Sequence, residues 1–154
     1  MEHHAGTLVL GENKRWKQDC DMGSQNNQNF VSMPTGLLKQ MIIYKASDAG
    51  IKTIMQEESY TSQADITAMD YIPVYGVDAE NAVFSGRRIS RSLYRCFNGM
   101  IINADCNGAA NIMRKAITDA CNSITDFSFL ASPEVSGFHE LNPLSISVKG
   151  IAAA

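Results

Sequence analysis

The stretch 101–112 holds the side chains with the clearest potential for chemistry. An apolar run ends there, and Asp105 and Asn107 follow just before three small residues, 108–110, that open a predicted helix. An Asp or Asn side chain can accept hydrogen bonds from the free N–H groups of a first helical turn, so the simplest role for Asp105 is a cap. Small residues also leave room for a close neighbour, either another backbone or a nucleic acid strand. Both interpretations remain open from the spacing alone.

Two groups of basic residues could contact the phosphate backbone of a nucleic acid. One group falls within nine residues, and the other surrounds a tryptophan that could stack on a base or pin a loop. The residues are Arg87, Arg88, Arg91 and Arg95 in the first group, and Lys14, Arg15 and Trp16 in the second. The net charge of −3 argues against a generic nucleic-acid coat but allows local basic patches. A solvated basic face is the alternative.

Length and composition predict one globular domain. The chain has 154 residues, of which 45% are hydrophobic and 19% charged, an ordinary balance for a protein with its own core. No apolar run reaches the about 18 residues that a membrane helix needs, and the N-terminus lacks the pattern of a signal sequence. Four scattered cysteines form no C-x-x-C pair, which is typical of reduced thiols. We therefore expect a cytoplasmic protein without a membrane partner.

Hydrophobic periodicity predicts the elements that must position these side chains. The pattern favours a strand at 7–11, a long loop at 12–33, a helix from Pro34 to about Gly50 and a strand at 51–56. The apolar stripe of that helix is expected to face the core; it consists of Leu37, Leu38, Met41 and Ile42. Strand, helix and strand in this order are typical of an α/β domain.

The second half of the chain is predicted to contain a hairpin and a helix. The segments 93–97 and 100–103 should pair across a type I′ turn at Asn98-Gly99. A helix should then run from Asp105 to about Ser123. Its inner face is expected to consist of Ile112, Met113, Ala116, Ile117 and Ala120.

The stretch 103–112 resembles the D-x-N-A-A-x-N-I motif near the C-terminus of the TnpB (OrfB) family. These transposon-encoded proteins are RNA-guided DNA nucleases with a RuvC-like domain, related to the type V CRISPR effectors. Three further segments, 44–46, 50–51 and 58–62, recur in the same order and at similar spacing, so the resemblance covers most of 7–116. It implies an α/β fold with a partial RNase H-like (RuvC-like) sheet and packed helices. It also implies an origin in transposition and DNA recombination.

The resemblance implies roles for particular acids. The family motif places the last catalytic carboxylate at Asp105, and nucleases of this fold hold Mg²⁺ with carboxylates from different elements. Many members carry their middle glutamate where this chain has Gly11. A subset uses a glutamate just before a Tyr-Thr-Ser motif, where this chain has Glu57-Glu58. We therefore expect Glu58 to be the middle ligand, with Glu57 in reserve and Glu12 as an outsider, and a solvated acidic pair as the alternative.

The chain departs from the family in two further ways. Most relatives have two C-x-x-C pairs between residues 62 and 103, whereas this chain has only Cys96 there, with Ala64 and Asp65 where the first pair would begin. One thiolate cannot supply the four ligands of a structural zinc, so we predict no zinc and a small β-hairpin insertion whose apolar residues replace it. The family's first catalytic Asp would lie upstream of Met1. Asp78 resembles that motif only superficially.

The family resemblance and the predicted elements together divide the chain into four segments. They are a RuvC-like segment at 1–60, a degenerate target-nucleic-acid-binding insertion at 61–102, the last RuvC-like motif and its helix at 103–123, and a tail at 124–154. The predicted function is that of a C-terminal fragment of an insertion-sequence RNA-guided DNA endonuclease, inactive alone. Its expected cofactor is Mg²⁺ in the complete site, and its expected partners are DNA and, in the full-length protein, guide RNA.

Two alternatives stay open. One is a non-catalytic nucleic-acid-binding remnant that acts through the basic segment 87–95, and the other is an unrelated small α/β domain. Under the family resemblance, the protein would lie in a prokaryotic cytoplasm and be associated with the nucleoid when bound to DNA.

Overall fold

A computed structural model describes residues 5–12 and 35–133 as a mixed α/β structure. Strand β1 (Thr7–Glu12) and strand β2 (Lys52–Glu57) are parallel and in register from Thr7↔Lys52 to Glu12↔Glu57. Helix α1 (Thr35–Asp48) precedes β2, and Gly50, with φ of +71°, turns the chain between them. These elements confirm the predicted strand, helix and strand. The parallel sheet has two strands among the described residues, so a wider RNase H-like sheet stays a prediction.

The predicted burial of the α1 stripe is wrong. Leu37, Leu38 and Met41 are 57%, 56% and 56% exposed, and within this helix only Ala46 is buried. A stripe at helical spacing becomes a buried face only when another element covers it. Among the described residues, α1 packs chiefly on β2, which leaves most of the stripe open to solvent.

Three short antiparallel strands form a second sheet. They are β3 (Arg87–Arg88), β4 (Leu93–Arg95) and β5 (Ile101–Asn103), in the order β3-β4-β5. The hairpin of β4 and β5 was predicted, whereas β3, only two residues long, was not.

The predicted type I′ turn of this hairpin is wrong. Such a turn needs a positive φ at both central residues, and Gly99 has a φ of +84° while Asn98 does not share this conformation. Instead, Gly99 N–H donates to the Cys96 carbonyl, and Cys96 N–H donates to the Met100 carbonyl. This is a three-residue loop that ends in a left-handed glycine.

Helix α2 (Ala104–Ala116) is shorter than predicted, because the chain turns extended at Ile117 instead of continuing to Ser123. Its N-cap is Asn103, whose side chain accepts from the N–H groups of Asp105 and Cys106 at 2.9 and 3.0 Å. Asp105 therefore lies in the first helical turn and is not the cap.

The predicted inner face of α2 is only partly right, since Met113 and Ala120 pack against the core but neither is fully buried. The buried residues of the helix are Ala104, Asn107, Gly108 and Asn111, and Ile117 beyond its end is 37% exposed. Two asparagines at i and i+4 give the helix a polar inner face, which a count of apolar residues cannot detect.

The core lies between α2, the antiparallel sheet and the segment that follows α2. Its members are Ile66, Tyr94, Cys96, Ile102, Ala104, Cys121, Phe127 and Leu130. Helix α2 also packs on both parallel strands, so it connects the two sheets. None of the described helices is long and apolar enough to cross a membrane. Most of the predicted loop 12–33, with Lys14, Arg15 and Trp16, lies outside the described residues, as does the tail beyond 133.

Candidate functional site

Glu58 stands at the end of β2 with its backbone held on both sides. Its N–H donates to the Glu12 carbonyl at 3.3 Å. Its own carbonyl accepts from the N–H of Thr61 at 3.3 Å and from the Thr61 hydroxyl at 2.7 Å. The Glu58 side chain therefore leaves the sheet from a fixed point, beside the end of β1.

The carboxylate of Glu58 lies over Gly11 of β1. A Cβ atom on Gly11 would overlap Glu58 Oε2, and it would lie 3.3 Å from Glu58 Cδ and 3.1 Å from Ile112 Cδ1 of α2. The missing side chain of Gly11 thus provides the space that the Glu58 carboxylate uses. Glycine at 11 and glutamate at 58 are coupled positions, with α2 close to both.

Glu57 is held in a different set of contacts, with Lys115 of α2. Lys115 Nζ lies 2.5 Å from Glu57 Oε2, and Ser59 N–H donates to Glu57 Oε1 at 2.7 Å. Burial raises the pKa of Glu57, but the hydrogen bonds from Lys115 and Ser59 together lower it by more than burial raises it. The pKa of Glu57 therefore lies below its ordinary 4.5. No described cation forms such a pair with Glu58. The geometry therefore gives Glu57 an ion-pair role and leaves Glu58 available.

Asp105 presents its carboxylate to solvent from the first turn of α2, where its side chain is 84% exposed. Arg88 Nη2 lies 3.4 Å from Asp105 Oδ1. The same guanidinium donates hydrogen bonds to the carbonyls of Ser90 and Arg91, in the connection between β3 and β4. An arginine of the basic segment thus faces the acid that the family motif identifies.

Asp105 and the Ile112 side chain that lies near Glu58 fall on one face of α2, about two helical turns apart. Asp105 and Ile112 are seven residues apart, which brings them to one helical face about 10 Å apart along the axis. The Ile112 side chain lies beside Gly11 and near the Glu58 carboxylate. Hard carboxylate oxygens suit Mg²⁺ in their chemistry. There are too few such ligands, however, because the described residues contain no group of three or more His, Cys, Asp or Glu side chains that could hold a metal.

The arginines of the basic segment divide between the two faces of the antiparallel sheet. Arg87 lies directly opposite Arg95 in the β3–β4 register, while Arg88 is opposite the buried Tyr94. Arg91, in the connection between the strands, is exposed. Like charges directly across an antiparallel pair repel each other, and neither Arg87 nor Arg95 has an ion pair among the described residues. An anion between them would relieve this repulsion.

The asparagines of the family motif anchor the loop that follows Glu58. Asn107 accepts from Ile66 N–H at 3.2 Å and donates to the Ala64 carbonyl at 2.9 Å. Asn111 donates to the carbonyls of Thr61 and Ala64 at 3.0 and 2.7 Å. Sequence reasoning missed this role, although two asparagines at i and i+4 were its visible signal. They fix the loop 58–66 against the helix that carries Asp105.

Two buried carboxylates help to hold residues 61–102 together, beside the apolar core residues of the hairpin. Asp65 is fully buried and accepts from Thr67 N–H, the Thr67 hydroxyl and Phe97 N–H at 2.8, 2.7 and 2.7 Å. Asp70 accepts from Asp65 N–H at 2.8 Å and from Ser85. Burial raises the pKa of the Cys96 thiol to about 11, so this buried thiol is protonated at neutral pH.

The sequence of this chain matches one family model and one curated protein. The model of the family described as Cas12f1-like, TNB domain matches residues 36–112, a range that includes Glu58, Arg88 and Asp105. A curated protein from Sulfoacidibacillus thermotolerans, the CRISPR-associated endodeoxyribonuclease Cas12f1, is 37% identical over 93 residues. The match covers 60% of this chain and 18% of that protein, so the chain spans less than a fifth of the relative's length.

Proposed function

This chain belongs to the Cas12f1-like family of RuvC-related proteins, and we propose that it is the acid-bearing part of an RNA-guided DNA endonuclease. The observation that carries the proposal is the Glu58 carboxylate in the space left open by Gly11. In the predicted family alignment, a strand glutamate would stand at position 11. Glu58 reaches the same place from the neighbouring strand, so the chain keeps an acid there.

In this proposal the segments of the chain have separate tasks. Residues 1–60 and 103–123 contribute to an RNase H-like sheet and its last helix, with β1 and β2 as two of the strands. The insertion 61–102 binds target nucleic acid, and 124–154 is a tail. The remaining strands, the first catalytic Asp and the guide-RNA-binding part would come from outside the matched segment, which covers 18% of the curated relative.

The proposed site uses three side chains. Glu58 and Asp105 would be oxygen ligands of Mg²⁺ together with acids from outside the described residues, and the ion would polarise the scissile phosphate and activate water. Arg88 now pairs with Asp105, at 3.4 Å, and its planar guanidinium is equally suited to a phosphodiester. Since no three acids among the described residues are grouped so as to hold a metal, the isolated chain should bind a cation weakly and cut nothing.

Activity can be tested by restoring the missing part. We expect a chimera, in which the matching 93 residues of this chain replace those of the Sulfoacidibacillus enzyme, to cut DNA with guide RNA and Mg²⁺. Glu58→Gln or Asp105→Asn should reduce the cleavage rate on the order of 100-fold or more, because metal ligation contributes several kcal/mol. Cleavage is measured on a labelled duplex.

Asp48 gives a control, since it is exposed and lies within the range that the family model matches. Asp48→Asn should leave the chimera's rate unchanged. Cleavage by a chimera that carries Asp105→Asn at the full rate would contradict the proposed site. Mg²⁺-dependent cleavage by the isolated chain that Asp105→Ala abolishes would contradict its incompleteness.

The alternative function, nucleic-acid binding without catalysis, is favoured by the unpaired charges of Arg87 and Arg95. In the isolated chain, we expect the double variant Arg87→Ala with Arg95→Ala to make the slope of log K for DNA binding against log salt concentration less negative. The change should be about 1.4–1.8, for two lost phosphate contacts. The measurement is fluorescence anisotropy with labelled DNA over a range of KCl concentrations.

The matched control for charge is Lys45→Ala with Lys52→Ala, which removes the same two positive charges from exposed positions elsewhere. That variant should keep the slope of the unmodified chain. Equal slopes for both double variants would contradict a phosphate contact at Arg87 and Arg95. Affinity that is indifferent to Mg²⁺ in all of them would favour the binding function over the catalytic one.

A further inference from the structure

Lys115, in the last turn of α2, lies in a nearly closed polar cage. Its side chain is 8% exposed, and its ammonium group has three oxygen partners. These are Glu57 Oε2 at 2.5 Å, the Ser59 carbonyl at 3.1 Å and the Pro73 carbonyl at 2.9 Å. An ammonium group has three N–H donors, so this one is fully used. Such an arrangement fixes the Glu57 side chain and the backbone at Ser59 and Pro73 relative to α2.

Two of the acceptors flank Glu58 in the sequence. Lys115 holds the side chain of Glu57 on one side and the backbone of Ser59 on the other. The Glu57 carboxylate also accepts from Ser59 N–H, so the three groups form one closed unit. Glu58, between them, is left with its side chain directed to Gly11. Its direction therefore depends on a residue that it does not contact.

The same helix carries Asp105, Ile112 and Lys115. Asp105 lies in the first turn, Ile112 contacts the place of Gly11, and Lys115 grips the residues beside Glu58. A rigid helix keeps these three positions at constant separation. Helix α2 can thus set the spacing between an acid that it carries and an acid that it holds in place through Lys115.

We infer that Lys115 is a positioning residue for the metal site, which orients Glu58 relative to Asp105 through Glu57 and Ser59. The inference rests on the proposed function, since it assumes that these two acids bind a cation together. Lys115 itself contacts neither acid and takes no part in the chemistry. Its loss should weaken metal binding even where the fold is retained.

The test uses the complete chain and Mn²⁺, without any activity measurement. Mn²⁺ broadens nearby nuclear resonances, and the δ1 methyl of Ile112, beside the Glu58 carboxylate, is a suitable reporter. The methyls of Ile66 and Ile102, which are fully buried in the core, report on the fold. We expect Lys115→Met to raise the Mn²⁺ concentration for half-broadening by about 10-fold or more, as second-shell changes at metal sites do.

A second variant guards against misfolding, since Lys115→Met leaves the Glu57 carboxylate without its cation. Lys115→Met with Glu57→Gln removes both charges and should fold, yet the carbonyls of Ser59 and Pro73 still lose their donor. We expect it to bind Mn²⁺ as weakly as Lys115→Met. Glu57→Gln alone keeps those two contacts but loses the ion pair, so its Mn²⁺ affinity should lie between that of the unmodified chain and that of Lys115→Met. Lys45→Met, at an exposed lysine, is the matched control.

The outcomes separate this inference from the proposed function. If Glu58→Gln and Asp105→Asn abolish the broadening while both Lys115 variants bind as the unmodified chain does, the positioning role is wrong and the metal site stands. If Glu58→Gln and Asp105→Asn leave the broadening unchanged, the proposed metal site itself is wrong. Weakened binding in both Lys115 variants, with the core methyls unshifted, supports the inference.

Discussion

A Gly11→Ala variant is expected to keep its fold and to lose most of its affinity for Mn²⁺. The added Cβ would overlap Glu58 Oε2, which is the far end of a flexible side chain, so the carboxylate would swing away at little cost. Ile112 Cδ1, at 3.1 Å, needs only a small adjustment. Alanine in a strand loses less conformational entropy on folding than glycine does, so the free energy of unfolding should stay within about 1 kcal/mol. Metal affinity and stability should therefore separate.

Gly6 is the matched control for this change. It lies just before β1, and a Cβ there would meet no atom within 4 Å. Gly6→Ala should leave both Mn²⁺ binding and stability as they are. Titration with Mn²⁺ and urea denaturation give the two quantities for each variant.

An exchange of the two residues makes the same prediction in the opposite direction. A chain with Gly11→Glu and Glu58→Ala carries its acid on β1, and the space that the Glu58 side chain vacates is free for it. We expect this double variant to recover Mn²⁺ binding to within about 10-fold of the original, whereas Glu58→Ala alone does not. Undiminished binding in Gly11→Ala would show that the Glu58 carboxylate is not a ligand in the place where it lies.

Local patterns were enough to predict the elements that carry the site. The strands at 7–12 and 52–57 and the hairpin follow from apolar runs and turn residues, which act over a few positions. The solvent exposure of the α1 stripe could not be predicted in this way, because burial depends on which elements are near. The end of α2 at Ala116 was missed for a similar reason, since apolar residues continue beyond it at helical spacing.

The candidate site could be proposed from the sequence only in its residue types. The choice between Glu57 and Glu58 depends on which side of β2 each side chain leaves, and thus on Lys115, which lies 58 residues away from Glu57. The particular place of Arg88 was hidden as well. Four arginines in one segment look equivalent in the sequence, whereas the strand register puts Arg87 and Arg95 together and turns Arg88 to Asp105. Long-range pairing of this kind leaves no mark in the composition of a segment.

Asp65→Ala is expected to have the largest effect on stability. The Asp65 carboxylate is fully buried and accepts three hydrogen bonds, two from Thr67 and one from Phe97 N–H. Alanine would leave three partly buried donors without their acceptor at a fully buried position, at about 1 kcal/mol or more each. A loss of at least about 3 kcal/mol is a large part of the 5–15 kcal/mol that typically stabilises a domain. Urea denaturation followed by circular dichroism measures it.

Graded variants show that the hydrogen bonds carry this effect. Asp65→Asn keeps one carbonyl oxygen for Thr67 but places an amide NH₂ opposite Phe97 N–H, so its loss should be intermediate. Asp119→Ala removes an exposed acid and should change stability by less than about 0.5 kcal/mol.

The same carboxylate connects the start of the insertion to the hairpin loop, the two places that a zinc ion joins in most relatives by the predicted alignment. If Asp65 has taken over that connection, a chelator should not alter the unfolding midpoint of the unmodified chain, because no bound metal contributes to it. Stoichiometric zinc in the purified protein, or a midpoint that falls in EDTA, would contradict this. Equal stability of Asp65→Ala and Asp119→Ala would contradict it independently. The segment 61–102 would then depend on Asp70 and on the packing of Tyr94 and Ile102, which are both completely buried.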